Sequence, residues 1–161
     1  GYLPQVNNSH IHDMGKWVFA VSFLWTYLYF SQFMLYWYAD IPEEVNYFQQ
    51  RIDEHAGLMW GMFFINFAVP MILLMSRDAK RNPRFLIGVG TVILIGHWLD
   101  VCQLVLPGAL GTHFHAIGAM EVGLFMLFLG LFVMRVLSAL TQAPMTVVNS
   151  PYLEESIHHS I

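Results

Sequence analysis

Four apolar stretches of about 20 residues each limit what this 161-residue chain can fold into. A helix rises 1.5 Å per residue, so about 20 apolar residues cross the roughly 30 Å hydrocarbon core of a bilayer. The stretches cover residues 17–39, 56–75, 85–106 and 115–137. The first two carry no charged side chain. Only 11% of the chain is charged and 57% is hydrophobic, with a mean hydropathy of +0.52, against roughly a quarter charged in soluble domains. The expectation is an all-α integral membrane protein: a four-span transmembrane helix bundle forming one region, followed by a polar tail over 138–161. In this reading Pro42 and the neighbouring acids stop the first span, Pro70 kinks the second, and Pro107 with Gly108 stops the third.

The basic residues orient the spans. Lys16 precedes the first; Arg77, Lys80, Arg81 and Arg84 join the second and third; Arg135 closes the fourth; only Arg51 falls on the other side. The positive-inside rule then puts both ends of the region in the cytoplasm, and the opposite side, in a bacterium, is the periplasm. A net charge of −4 offers no basic field for nucleic acid. Cys102 is the one cysteine, which excludes an internal disulfide and a cysteine-ligated iron–sulfur cluster within the chain. The start "GYLPQVNNSHIHD" has neither the basic residues nor the apolar core of a signal peptide. The chain is expected to be a portion of a longer subunit.

Titratable residues inside apolar runs mark function, because burying them is costly. In "IGHWLDVCQLVLP", His97 and Asp100 stand three residues apart, on one helical face. Asp100 and Glu121 each fall roughly 10 Å below the outer ends of their spans. His97, Asp100 and Glu121 are therefore the candidates for proton transfer or a quinone site. Polar glue between helices is the plainer alternative. A bis-histidine haem would need His97 with His115, which lie at different depths. His113 and His115 in "GTHFHAIG", two apart, pair well in a strand but splay in a helix. With His12 and Asp13 of "HIHDMGK" they form the possible ends of a peripheral proton path; Asp13 is otherwise a helix N-cap. No metal site and no catalytic residue is assigned. The eleven aromatics of the first span read as interfacial anchors, Ser22, Thr26, Ser31 and Gln32 as helix-joining groups, and Gly57 with Gly61 as a G-x-x-x-G packing pair.

The stretch "HDMGKWVFAVSFLWTYLYFSQFMLYWYADIPEE" and the tail "SPYLEESIHH" resemble the quinol:cytochrome c oxidoreductase membrane subunits of bacterial alternative complex III, within the polysulfide reductase membrane-subunit family. Of the two related membrane subunits, F is the nearer likeness to the chain and C its paralogue. The resemblance implies a subunit without its own covalently bound cofactor that works beside menaquinol or another quinol. Haem and iron–sulfur clusters would sit on partner subunits. Those partners would be a multihaem cytochrome c, an iron–sulfur subunit and the paralogous membrane subunit, surrounded by lipid, with a terminal oxidase as a further acceptor. Two other classes stay open: a scaffold subunit with no working site, and a secondary transporter, for which no broken-helix pair or inverted repeat is evident.

Overall fold

The computed structural model describes residues 6–110, 117–142 and 151–159. The described residues are helical throughout: α1 Asn8–Ala39, α2 Pro42–Asp53, α3 Ala56–Phe63, a π-helical turn Phe64–Ala68, α4 Val69–Leu73, α5 Arg77–Arg81, α6 Pro83–Leu110, α7 Ala119–Gln142 and α8 Leu153–Ile157. Four helical segments are long and apolar enough to cross a membrane: Asn8–Ala39, Ala56–Leu73, Pro83–Leu110 and Ala119–Gln142. The chain is therefore an all-helical, multi-pass membrane protein. It divides into two units, Ile11–His113 and the combination of Gly1–His10 with Phe114–Ile161.

In the larger unit, α6 presents a stripe of residues three or four apart. Leu86, Val89, Ile93, Gly96, Gln103 and Pro107 along it are all buried. The Arg84 end of the stripe packs apolar against apolar: Leu74, Leu86, Val89 and Ile93 form a cluster against which Ile11, Val18 and Phe19 of α1 rest. Toward Pro107 the same stripe turns polar. At the Arg84 end, α5 approaches α1 so closely that a Cβ on Gly15 would meet Lys80 Cβ at 2.8 Å. Only glycine fits there.

Several element boundaries differ from the sequence reading, each for a physical reason. α6 runs through Pro107 to Leu110 instead of stopping at Pro107. Proline removes an N–H and strands the carbonyl four residues back, which here is Gln103. The Arg51 guanidinium supplies the missing donor: Nε donates to the Gln103 carbonyl at 3.0 Å and Nη2 to the Leu104 carbonyl at 3.1 Å. Ahead of Pro70 the second span widens into the π turn Phe64–Ala68, in which Val69 N–H reaches back to the Phe64 carbonyl. The acidic link is itself a helix, α2, with Pro42 in its first turn and Glu43 and Glu44 at its positive end.

α1 begins at Asn8, ahead of Asp13. Asn7 Oδ1 accepts the N–H groups of Ser9 and His10 at 2.9 and 3.0 Å, so Asn7 caps the helix and Asp13 does not. Asp13 instead receives Lys16 Nζ at 3.0 Å. The hydroxyls of Thr26 and Ser31 donate to the carbonyls of Ser22 and Tyr27 within α1 itself, so neither joins helices through these bonds.

In the other unit, Asn7 Nδ2 donates to the His159 carbonyl at 2.8 Å, His10 Nε2 and Ser156 Oγ are 3.1 Å apart, and the His10 and His159 rings lie 5.6 Å apart. The tail 138–161 thus holds the last turn of α7 and the short α8, which meets the chain's beginning. No residue of α7 is buried.

A candidate polar site within the spanning helices

Asp100 accepts a hydrogen bond from the indole N–H of Trp25 at 2.9 Å, between α6 and α1. The same indole meets the His97 ring edge to face, with centroids 5.9 Å apart, and stacks on Tyr29 at 5.3 Å. One tryptophan therefore contacts both His97 and Asp100. The α-helical repeat brings this about: His97 and Asp100 are one turn apart on α6, and Trp25 and Tyr29 one turn apart on α1.

Two amides extend the polar stretch along α6. Asn66, in the π turn, is 1% exposed and lies against Gly96, where a Cβ would collide with its side chain and meet Ile65 Cγ2 at 2.7 Å. Gln103 is 2% exposed, one turn beyond Asp100. Neither amide has a hydrogen-bond partner for its oxygen or its nitrogen, and the Tyr29 hydroxyl has none either. The π turn explains how Asn66 reaches the interior. The wider turn swings its side chain toward α6, and glycine at position 96 leaves room for it.

At the Pro107 end stands Arg51, 3% exposed. Besides the Gln103 and Leu104 carbonyls, it donates Nη1 to the Tyr47 carbonyl at 2.7 Å, and its guanidinium lies 3.5 Å above the Tyr47 ring. Burial pushes the Tyr47 phenol up from its ordinary value of 10.0; Arg51 pulls it back, and Asp100 and Tyr36 add to the rise. Arg51 and Asp100 thus act on the Tyr47 phenol in opposite directions.

His97 also lies at one end of a groove of about 570 Å³ between α1 and α6, walled by Trp17, Val21, Ile87 and Leu94 and carrying the hydroxyls of Ser22 and Thr91. An apolar molecule lying in it would meet the imidazole at its end. A search of known protein-family models finds no match to this chain, and no curated protein matches it.

Of the residues singled out in the sequence, His97 and Asp100 come together on Trp25. Glu121 belongs to the other unit, where its carboxylate accepts the Gly118 N–H at 2.9 Å at the start of α7. His12 is buried, with its Nδ1 lacking a partner, and Asp13 is paired with Lys16. His113 and His115 lie outside the described residues. The sequence reading missed Trp25, Tyr29, Arg51, Asn66 and Gln103. The signals were present for two of them: Arg51 is the one basic residue opposite the other six, and Asn66 stands four residues before an intraspan proline.

Proposed function

We propose that this chain is part of a membrane subunit of a respiratory quinol:electron-acceptor oxidoreductase, related to the membrane subunits of alternative complex III. In this proposal it handles protons beside a quinol while partner subunits carry the electrons. The observation that supports this most directly is the meeting of His97 and Asp100 on one half-buried indole, at the end of an open groove between α1 and α6. Quinol oxidation releases two protons with its two electrons, and an imidazole beside a carboxylate is suited to accept and pass them on. A quinol lying in the groove would present its hydroxyl to His97, with Asp100 behind it across Trp25. By the positive-inside rule, the Arg51 end of this site faces the periplasm and both ends of the region face the cytoplasm. Menaquinol or another quinol is the proposed substrate. Haem and iron–sulfur clusters belong, in this proposal, to a multihaem cytochrome c and an iron–sulfur subunit, beside a paralogous membrane subunit.

The test is to purify the native complex by a tag on this subunit, identify its companions, and compare His97→Gln and Asp100→Asn with wild type. The proposal expects a multihaem cytochrome among the companions. It also expects quinol oxidation at least about tenfold slower in assembled variants, the scale on which losing one proton-transfer group is felt. Normal turnover in the assembled double variant defeats it. A scaffold role is the second reading, and α7 favours it: a helix with Met120, Phe128 and Phe132 largely exposed suits docking against another subunit. A complex that falls apart when the exposed face of α7 is altered, yet turns over normally in the His97 and Asp100 variants, would select that reading.

A further inference from the structure

Asn66 and Gln103 stand out among all the buried groups, because each withholds a whole side-chain amide from both solvent and protein. An amide deprived of partners in an apolar interior costs about 1–3 kcal/mol, and two such groups lie on either side of His97 and Asp100 along α6. At 1% and 2% exposure, neither is within reach of a side chain from another subunit. Water is the partner small enough to reach groups buried this deeply. Buried water in proteins bridges polar groups that are otherwise unmet, and each end of this stretch offers several. Beside Asn66, the missing N–H of Pro70 leaves a main-chain carbonyl of the π turn short of a donor. Beside Gln103 is Asp100, one turn away, whose indole partner Trp25 stacks on Tyr29, a residue with an unpartnered hydroxyl.

We infer that Asn66 and Gln103 hold water inside the membrane-spanning unit, forming a hydrated stretch that passes His97 and Asp100 and ends at the Leu74, Leu86, Val89 and Ile93 cluster. The apolar cluster gives water no partner, so the stretch is closed toward the Arg84 end of α6 and extends only toward the Arg51 end. Its use as a proton route rests on the function proposed above; its hydration does not.

Water-edited solid-state NMR of the full chain in deuterated phosphatidylcholine bilayers tests the two separately. Asn66→Leu and Gln103→Met identify the two side-chain amide signals by their disappearance, and both keep the volume and remove the unmet polar atoms, so both should fold. The expected result is magnetisation passing from water to the Asn66 and Gln103 side-chain amides as quickly as to the exposed Gln49, while the Val89 and Ile93 backbone amides stay dry. In Asn66→Leu, transfer to the Gly96 amide should fall several-fold; Asn66→Ser, which keeps a hydroxyl, should restore it. Side-chain amides as dry as Ile93 overturn the inference. Wet amides combined with unchanged quinol turnover in both variants would confirm the hydration and refute the proton-handling role.

Discussion

The Nε–H of Arg51 reaches across from α2 to the Gln103 carbonyl at 3.0 Å, the carbonyl that Pro107 deprives of its own helical partner. One side chain thereby lets a helix continue through its proline. It also fixes a positive charge at the end of the polar stretch.

Removing that side chain should be costly, and restoring the lost donor should recover part of the cost. Arg51→Met is expected to destabilise the fold by about 2–3 kcal/mol, the scale of losing hydrogen bonds to a charged group. Pro107→Ala supplies a backbone N–H for Gln103, so it should offset part of the loss in the double variant. Reversible unfolding in detergent, followed by circular dichroism across the four-protein cycle, gives the coupling. Purely additive losses would separate Arg51 from the proline.

Gly96 should tolerate no side chain while Asn66 stays in place. Gly96→Ala pushes a methyl into the Asn66 amide and to within 2.7 Å of Ile65 Cγ2. A loss of about 1–3 kcal/mol is expected, and much less in an Asn66→Ala background. A thermal melt of the single and double variants decides it.

Trp25→Phe keeps the ring in place and deletes the donor that Asp100 uses. The carboxylate loses its indole N–H, at a cost of about 1–3 kcal/mol. Asp100→Asn retains an oxygen acceptor for Trp25 and should be nearly neutral for folding. Equal losses in the two variants would mean that the bond adds nothing to stability.

Tyr47 lies on α2, outside the spanning helices, and burial raises its phenol above 10.0. A raised folded value means the neutral phenol favours the fold. That contribution is complete below pH 10 and is lost as pH climbs through the raised value. Absorbance titration should show tyrosinate still forming above the range of free tyrosine, with stability falling alongside it. Tyr47→Phe should shrink that late component by one tyrosine's amplitude and reduce the alkaline loss.

The spans were legible because uninterrupted apolar length is a local property of the chain. His97 and Asp100 were legible for the same reason, since a titratable residue stands out against such a background. Their partner was hidden: Trp25 is one of eleven aromatics in its span, and nothing local separates an indole bonded to a carboxylate from one facing lipid. Asn66 and Gln103 are uncharged and pass unnoticed in an apolar run, and their importance comes from burial, which only tertiary packing sets. The end of α6 was misjudged at Pro107 because its rescuer, Arg51, is distant in sequence and belongs to a different helix. Glu121 is grouped with Asp100 on depth alone, and the bond its carboxylate accepts from the Gly118 N–H three residues before it is a local one at the start of α7.

The π turn Phe64–Ala68 amounts to one residue more than an α-helix needs over the same height. Everything after it, Pro70 and Leu74 included, is rotated by about 100° relative to an uninterrupted helix. Deleting a single residue there would leave the composition and hydropathy of the span almost unchanged, yet turn Leu74 away from its cluster and Asn66 away from Gly96. For this helix, residue count matters more than residue type: a shortened span would still enter the bilayer, with the wrong side facing its neighbours.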